Sequence, residues 1–343
     1  MADALLSPAV GGVMTGVSAL AIAYGVKRMT GDTVNEKKIP MMGVMGALVF
    51  AGQMINFTIP GTGSSGHIGG GILLAALLGP FPALLTLASV LLIQCLFFAD
   101  GGLLAYGCNV FNMGVTSCFL AFQLIFKPLM KNMKNMKKGK TGKPNTAPQY
   151  IIIASIAAVV IGLQLGAFGV VLETLLSGIT ELPFGAFLVL MQPIHLAIGL
   201  VEGIVTAGVL CYVHRVRPEL LDSAVEDAPI PQGLPTTKIL ISFLVLTVLV
   251  GGLLSLFASA YPDGLEWSME KVAGTAELER EGSVYETAAS VVETTAFMPD
   301  YSFSGDEAGS PLGTTTAGIL GSIITVVLAG GIGYIIRAAR KTT

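Results

Sequence analysis

Charge is scarce in this chain. Of 343 residues only 12% are Asp, Glu, Lys or Arg, against 53% hydrophobic, and the mean hydropathy is +0.76. Soluble domains carry about a quarter charged residues, so the shortage excludes a water-soluble globular protein and leaves a polytopic membrane protein. Histidine is rarer still, with three residues, and tryptophan occurs once. The four cysteines (Cys95, Cys108, Cys118, Cys211) lie in or beside apolar runs without CxxC spacing, which reads as small core residues rather than disulfides or thiolate ligands. Neither HExxH nor GxxxxGK[ST] occurs, which argues against an intramembrane metalloenzyme and against ATP hydrolysis by this chain. The opening MADALLSPAVGG lacks the basic stretch that begins a cleavable signal peptide.

What is present is a series of apolar runs, at about 9–28, 41–58, 67–79, 82–98, 104–126, 149–172, 188–213, 238–258 and 315–337. Most approach the roughly 20 residues that a bilayer needs. The run 67–79 is short and abuts Gly79-Pro80. The basic segments 27–38 and 127–143 both belong on the cytoplasmic side, however, and an even number of crossings must separate them. The expected fold is therefore an all-α membrane protein of nine spans, N-terminus outside and C-terminus cytoplasmic. On that topology 17 of the 19 Lys and Arg are cytoplasmic, Lys271 and Arg280 excepted. Of the 22 Asp and Glu, 15 lie outside, six inside, and Glu202 alone at membrane depth.

Three units follow: a seven-span bundle (1–216), a cytoplasmic linker with four prolines (217–238), and a two-span hairpin (239–343) around an acidic external loop, 259–314. The small-xxx-small pairs Gly12/Gly16 and Ala19/Ala23 of the first span are expected to pack within the bundle.

The stretch QMINFTIPGTGSSGHIGGG (53–71) joins an apolar helix to a glycine- and serine-rich loop ending in His67. Such a loop lets the backbone approach a ligand closely, and a lone imidazole there has no packing role, which favours a metal-ligand role. Other polar residues in or beside the spans are Gln53, Asn56, Ser65, Asp100, Asn109, Asn112, Gln192 and His195, together with Glu202 two turns from His195. All but Glu202 are expected near the external side, around one outward-facing pocket. His195 reads as a hydrogen-bonded supporting histidine, and Glu202 as facing the interior with a polar neighbour. The amino terminus at Met1 lies on the same side, next to Asp3. A free amine, an amide nitrogen and imidazoles make an all-nitrogen planar set, which suits Ni(II) or Cu(II) and suits Co(II) less well.

MADALLSPAVGG, FAGQMINFTIPGTGSSGHIGGG, FADGGLLAYGCNVFNMG and PIHLAIGLVEG resemble the substrate-binding membrane component of cobalt/nickel energy-coupling-factor transporters (CbiM/NikM type) across the whole seven-span part. YPDGLEWS and FMPDYSF resemble the accessory two-span subunit, a PDGLE/NikN-like domain, here fused. The resemblance implies an S-component-like helical bundle with an extra N-terminal span, a link to cobalamin biosynthesis, and a separate coupling subunit with ATPase subunits. It also implies metal held by the amino-terminal nitrogen, by a histidine after the initiator methionine, and by the loop histidine. His67 matches the last. Family members commonly begin Met-His, whereas this chain begins Met1-Ala2-Asp3, so an upstream Met-His is expected to be missing.

The expected function is capture of Ni2+ or Co2+ as substrate for ATP-driven uptake across a prokaryotic plasma membrane, with His67 and Met1 as ligands and no catalysis or nucleic-acid binding by this chain. The competing reading is a proton-coupled secondary transporter using His195 and Glu202.

Overall fold

The computed structural model describes residues 1–30, 37–132, 148–231, 235–276, 278, 280–306 and 310–341. The elements in order are α1 (Pro8–Thr30), α2 (Lys38–Gln53), a hairpin of β1 (Phe57–Ile59) and β2 (Ser64–Gly66), α3 (Gly71–Leu78), α4 (Pro80–Phe98), α5 (Tyr106–Asn132), α6 (Pro148–Ser177), α7 (Phe184–Val216), α8 (Pro218–Glu226), α9 (Thr237–Phe257), α10 (Gly264–Ala273), α11 (Ser283–Thr295) and α12 (Pro311–Lys341). Among the described residues seven helices, α1, α4, α5, α6, α7, α9 and α12, are long and apolar enough to cross a membrane. The chain is an all-α multi-pass membrane protein, the only strands among the described residues being the short hairpin.

Two of the nine expected runs form shorter helices. The run 41–58 is helical only as far as Gln53, and the run 67–79 only from Gly71. At 1.5 Å per residue α3 is about 12 Å long, against a hydrocarbon core of about 30 Å. α3 starts against Ser117 and Val49 and ends at Gly79, beside the Lys38 ammonium. Gly79, at φ 87°, makes the reversal that side chains disfavour, and Pro80 then opens α4 with its φ already helical. Within α7, Pro193 interrupts the hydrogen-bond ladder, and beside it Gln192 and Gln164 of α6 each donate a side-chain N–H to the other's backbone carbonyl, at 3.3 and 2.9 Å.

The polar groups sort to two poles. At one, Lys127 pairs with Asp227, Lys131 stands 4.0 Å from Glu226, and Lys37 donates to the Pro231 carbonyl at 2.8 Å. The two basic segments thus end at the same pole. Residues within 217–238 form α8 there, an amphipathic helix that buries Leu220, Leu221, Ala224 and Val225 and packs on α3 and α7. The opposite pole holds Met1, the His67 loop, α10 and α11.

The C-terminal spans are built into the bundle. α12 lies along α2, and α9 packs on both. Gly43, Gly46 and Gly321 permit the approach: a Cβ on Gly43 would stand 2.9 Å from the Val326 carbonyl, and one on Gly321 would enter the Phe50 ring. The pairs Gly12/Gly16 and Ala19/Ala23 do not pack inside as expected. Nothing lies within 4 Å of a Cβ at Gly12 or Gly16, and both alanines are exposed. Gly11, Ser18 and Gly25 form the buried stripe of α1 instead. Gly43→Leu is expected to cost the folded protein about 1–3 kcal/mol, the usual penalty of overpacking against backbone that cannot yield. A fall in thermal midpoint in detergent, absent for Gly331→Leu on the open face of α12, checks this.

Candidate metal site

The site begins with the β1–β2 hairpin. Phe57 pairs with Gly66 and Ile59 with Ser64, and the turn between them uses Gly61 and Gly63 at φ 78° and 77°, where glycine avoids the Cβ penalty. His67 leaves the hairpin directly, half-buried, with Nδ1 3.1 Å from the Ile68 carbonyl. A carbonyl only accepts, so Nδ1 carries the proton and Nε2 keeps its lone pair. His195 on α7 is fixed in the same way, Nδ1 standing 2.8 Å from the Met191 carbonyl. Both imidazoles therefore present an Nε2 lone pair.

The backbone behind His67 is held from two sides. The buried Glu202 carboxylate accepts the N–H groups of Gly69 and Gly70 at 2.9 and 2.8 Å. Gln53 donates to the Gly69 carbonyl at 3.1 Å and accepts from Gln94 at 2.9 Å. Gly70 has φ 76°, and Val49 fills the space a Cβ would need.

A cavity of about 150 Å³ opens in front of His67, lined by Met1, Asn109, Asn112, His195 and Asp263 among others. α5, wound from Val110 to Phe126 with the wide turns of a π-helix, brings the two asparagines to it. The Met1 carbonyl is anchored by the Gly102 N–H at 3.1 Å and by Asn109 at 3.4 Å. Asp3 accepts the Ala105 N–H at 2.8 Å. Burial pushes its carboxyl above the ordinary value, opposed by the N–H groups of Ala105, Leu104 and Leu103 and by the amino terminus.

The structure thus places His67, Met1, Asn109, Asn112 and His195 around one space. Asp3, Gln53 and Ser65 stand behind it, holding backbone in place. Gln192 is engaged with Gln164, Asp100 accepts from Tyr301, and the Asn56 carbonyl accepts the Ser259 N–H at 2.7 Å, and none of these three lines the cavity. Among the described residues no group of three His, Cys, Asp or Glu side chains is placed to hold a metal ion.

Two carboxylates at the site were missed from sequence. Glu173, counted there with the external loops, is buried on α6 and accepts from Asn112 Nδ2 at 2.7 Å. Its signal was a lone acid inside the apolar run VVLETLL. Asp263 belongs to the C-terminal unit, and only the fold brings it to His67. Its side chain caps α10, accepting the Leu265 and Glu266 N–H groups at 2.8 Å each, and its own negative charge, ahead of burial, pushes Glu266 up to about 7. The same unit grips the hairpin: Ser65 donates its N–H to the Pro262 carbonyl and its hydroxyl to that of Tyr261, and the Trp267 indole donates to the Thr62 carbonyl.

Comparison with known proteins places these features. Residues 1–220 match the family described as the cobalt uptake substrate-specific transmembrane region (CbiM), and residues 237–338 match the PDGLE domain. A putative fused nickel transport protein NikMN of Archaeoglobus fulgidus is 30% identical over 332 residues, covering 95% of each chain. A probable fused nickel transport protein LarMN of Lactiplantibacillus plantarum is 33% identical over 63% of this chain and 64% of that one. A cobalt transport protein CbiM of Sorangium cellulosum is 31% identical over 53% of this chain and 76% of its own length. A crystal structure of a transition metal transporter superposes with TM-score 0.52 and 27% identity, covering 64% of this chain and 94% of the other.

Proposed function

Because this chain belongs to the CbiM family of cobalt uptake substrate-specific transmembrane proteins and carries a PDGLE domain in the same polypeptide, we propose that it captures Ni2+ or Co2+ for ATP-driven uptake. The cation is the transported substrate. It is held at His67 Nε2 and the nitrogen of Met1, with His195 supporting. The observation that carries this reading is one cavity in which two imidazoles both present Nε2 and Met1 is anchored alongside. Nitrogen donors of this kind suit late first-row divalent ions.

The proposed topology has nine crossings, with the Met1 pole outside and the Lys127–Asp227 pole in the cytoplasm of a prokaryotic cell. The division of basic segments and the His67 loop between opposite poles supports it. The proposed units are the metal-binding bundle 1–216, the connection 217–238 and the accessory hairpin 239–343. The energy comes from partner chains, a transmembrane coupling subunit and ATPase subunits, and the open small-residue face of α1 suits close approach of another helix. Uptake of radioactive Ni2+ or Co2+ by cells expressing this chain with and without those subunits tests the proposal. Uptake that runs without any ATPase, and collapses with the proton gradient, would instead support secondary transport through His195 and Glu202.

The C-terminal unit is proposed to order the metal loop from outside, through Ser65, Thr62 and Asp263. Deleting residues 239–343 is expected to abolish uptake while residues 1–238 still reach the membrane. Undiminished uptake by the shortened chain refutes this role.

A further inference from the structure

Resting on the reading of His67 as a metal ligand, we propose that Tyr301 is a positioning residue for the metal loop, acting on the backbone behind His67 through Gln94 and Gln53. Tyr301 lies in the FMPDYSF stretch, which the metal-capture argument leaves unused. It takes no part in the hairpin grip made by Tyr261, Pro262 and Trp267.

The route from Tyr301 runs through hydrogen bonds by way of Asp100. Its hydroxyl donates to the Asp100 carboxylate. The Asp100 N–H in turn donates to the Gln94 carbonyl at 3.0 Å, tying the turn to Gln94. Gln94 Nε2 donates to Gln53 Oε1 at 2.9 Å, and Gln53 Nε2 donates to the Gly69 carbonyl at 3.1 Å. Gly69 is two residues from His67, and its N–H is one of the two received by Glu202. An amide side chain that both accepts and donates passes orientation along such a series, because turning one member breaks the bond to the next. Gln53 and Gln94 are both buried, so neither exchanges these partners for water at little cost.

The local backbone is held in an unfavourable shape to make this contact. Asp300 and Tyr301 are consecutive non-glycine residues at φ 49° and 58°, in the left-handed region. Such strain persists only where surrounding structure compels it, and it collects at functional contacts. Here the Tyr301 ring stacks on Phe98 at 5.1 Å, and Phe297 packs on Phe97 and Phe98 at 5.8 and 5.4 Å. The Phe297 N–H and Thr295 hydroxyl bond to carbonyls at the end of α4. The aromatic stack seats the segment, and the hydroxyl alone joins it to the polar series. Burial pushes the phenol well above its ordinary value, so the hydroxyl keeps its proton for donation.

The separation of ring from hydroxyl defines the test. Ni2+ affinity is measured by calorimetry on the full chain in detergent for the wild type, Tyr301→Phe, Gln53→Leu, the double variant and His67→Ala. Tyr301→Phe keeps the stack and removes the donor. It is expected to weaken Ni2+ binding by about 3- to 10-fold, the worth of one hydrogen bond, with the thermal midpoint close to wild type. If both residues act through one series, the double variant binds no more weakly than Gln53→Leu alone. Gln94→Leu, which cuts the series between them, is expected to reproduce that value. Wild-type affinity in Tyr301→Phe, or losses that multiply in the double variant, overturn the proposal. Should His67→Ala bind as the wild type does, the metal-site reading itself fails. Loss of binding in His67→Ala beside an unaffected Tyr301→Phe rejects the positioning role alone.

Discussion

His67→Ala is expected to abolish Ni2+ and Co2+ binding by the full chain, while leaving its thermal midpoint near that of the wild type. The side chain is half-buried beside a cavity and its only hydrogen bond among the described residues goes to the adjacent Ile68 carbonyl, so its removal leaves no orphaned partner in the core. The loss of function is large for the opposite reason. No three acidic, thiol or imidazole groups among the described residues are placed to take over, and His195 is then the one imidazole left at the cavity. The affinity should fall by more than the roughly 10- to 100-fold that supporting partners are worth. Calorimetry with each metal reads the result. Binding that survives in His67→Ala would move the site to His195 and Asp263.

Glu202→Gln is expected to lower affinity by about 10- to 100-fold, the range found when a group that orients a ligand is lost. The two carboxylate oxygens each receive one N–H, from Gly69 and Gly70, and both donors are backbone. A carboxamide is nearly the same size, but one of its ends is itself a donor, so one glycine N–H faces another N–H. An unpaired donor at this depth costs about 1–3 kcal/mol, and the segment shifts to relieve it. Because Gly69 is also held by Gln53, the shift is transmitted to the loop rather than absorbed. Glu202→Asp tests the same point differently: it keeps the charge but shortens the reach, and should be nearly as damaging. Wild-type affinity in both variants would show that Glu202 serves packing alone. The secondary-transport reading makes a different demand, since there Glu202 must release its loop contacts in every cycle.

Much of this was legible in the sequence because a bilayer is an exacting solvent. Seven apolar runs became helices long enough to cross, and the run of small residues around His67 became the loop that meets the cavity. The short third run is helical only from Gly71, because composition does not say where an apolar stretch stops being helical when Gly69, Gly70 and Gly71 lie inside it. Glu202 was recognised as interior, yet its partners could not be named, since they are backbone groups more than a hundred residues away. Glu173 and Asp263 escaped for two physical reasons. A carboxylate near a helix end resembles a loop residue, and Asp263, the N-cap of α10, lies far from His67 along the sequence. The asparagine and glutamine residues were grouped into one pocket, whereas only Asn109 and Asn112 line it. Helical periodicity gives the face a residue occupies, but not whether a neighbouring helix or a void lies opposite.

The indole of Trp267 ends in the hairpin turn, bonded to Thr62 five residues before His67. As the chain has no other tryptophan, all of its indole emission originates at this seam between the two units. The molecule thus comes with a native optical gauge. Stopped-flow mixing with metal reads any change at that seam directly in unlabelled protein.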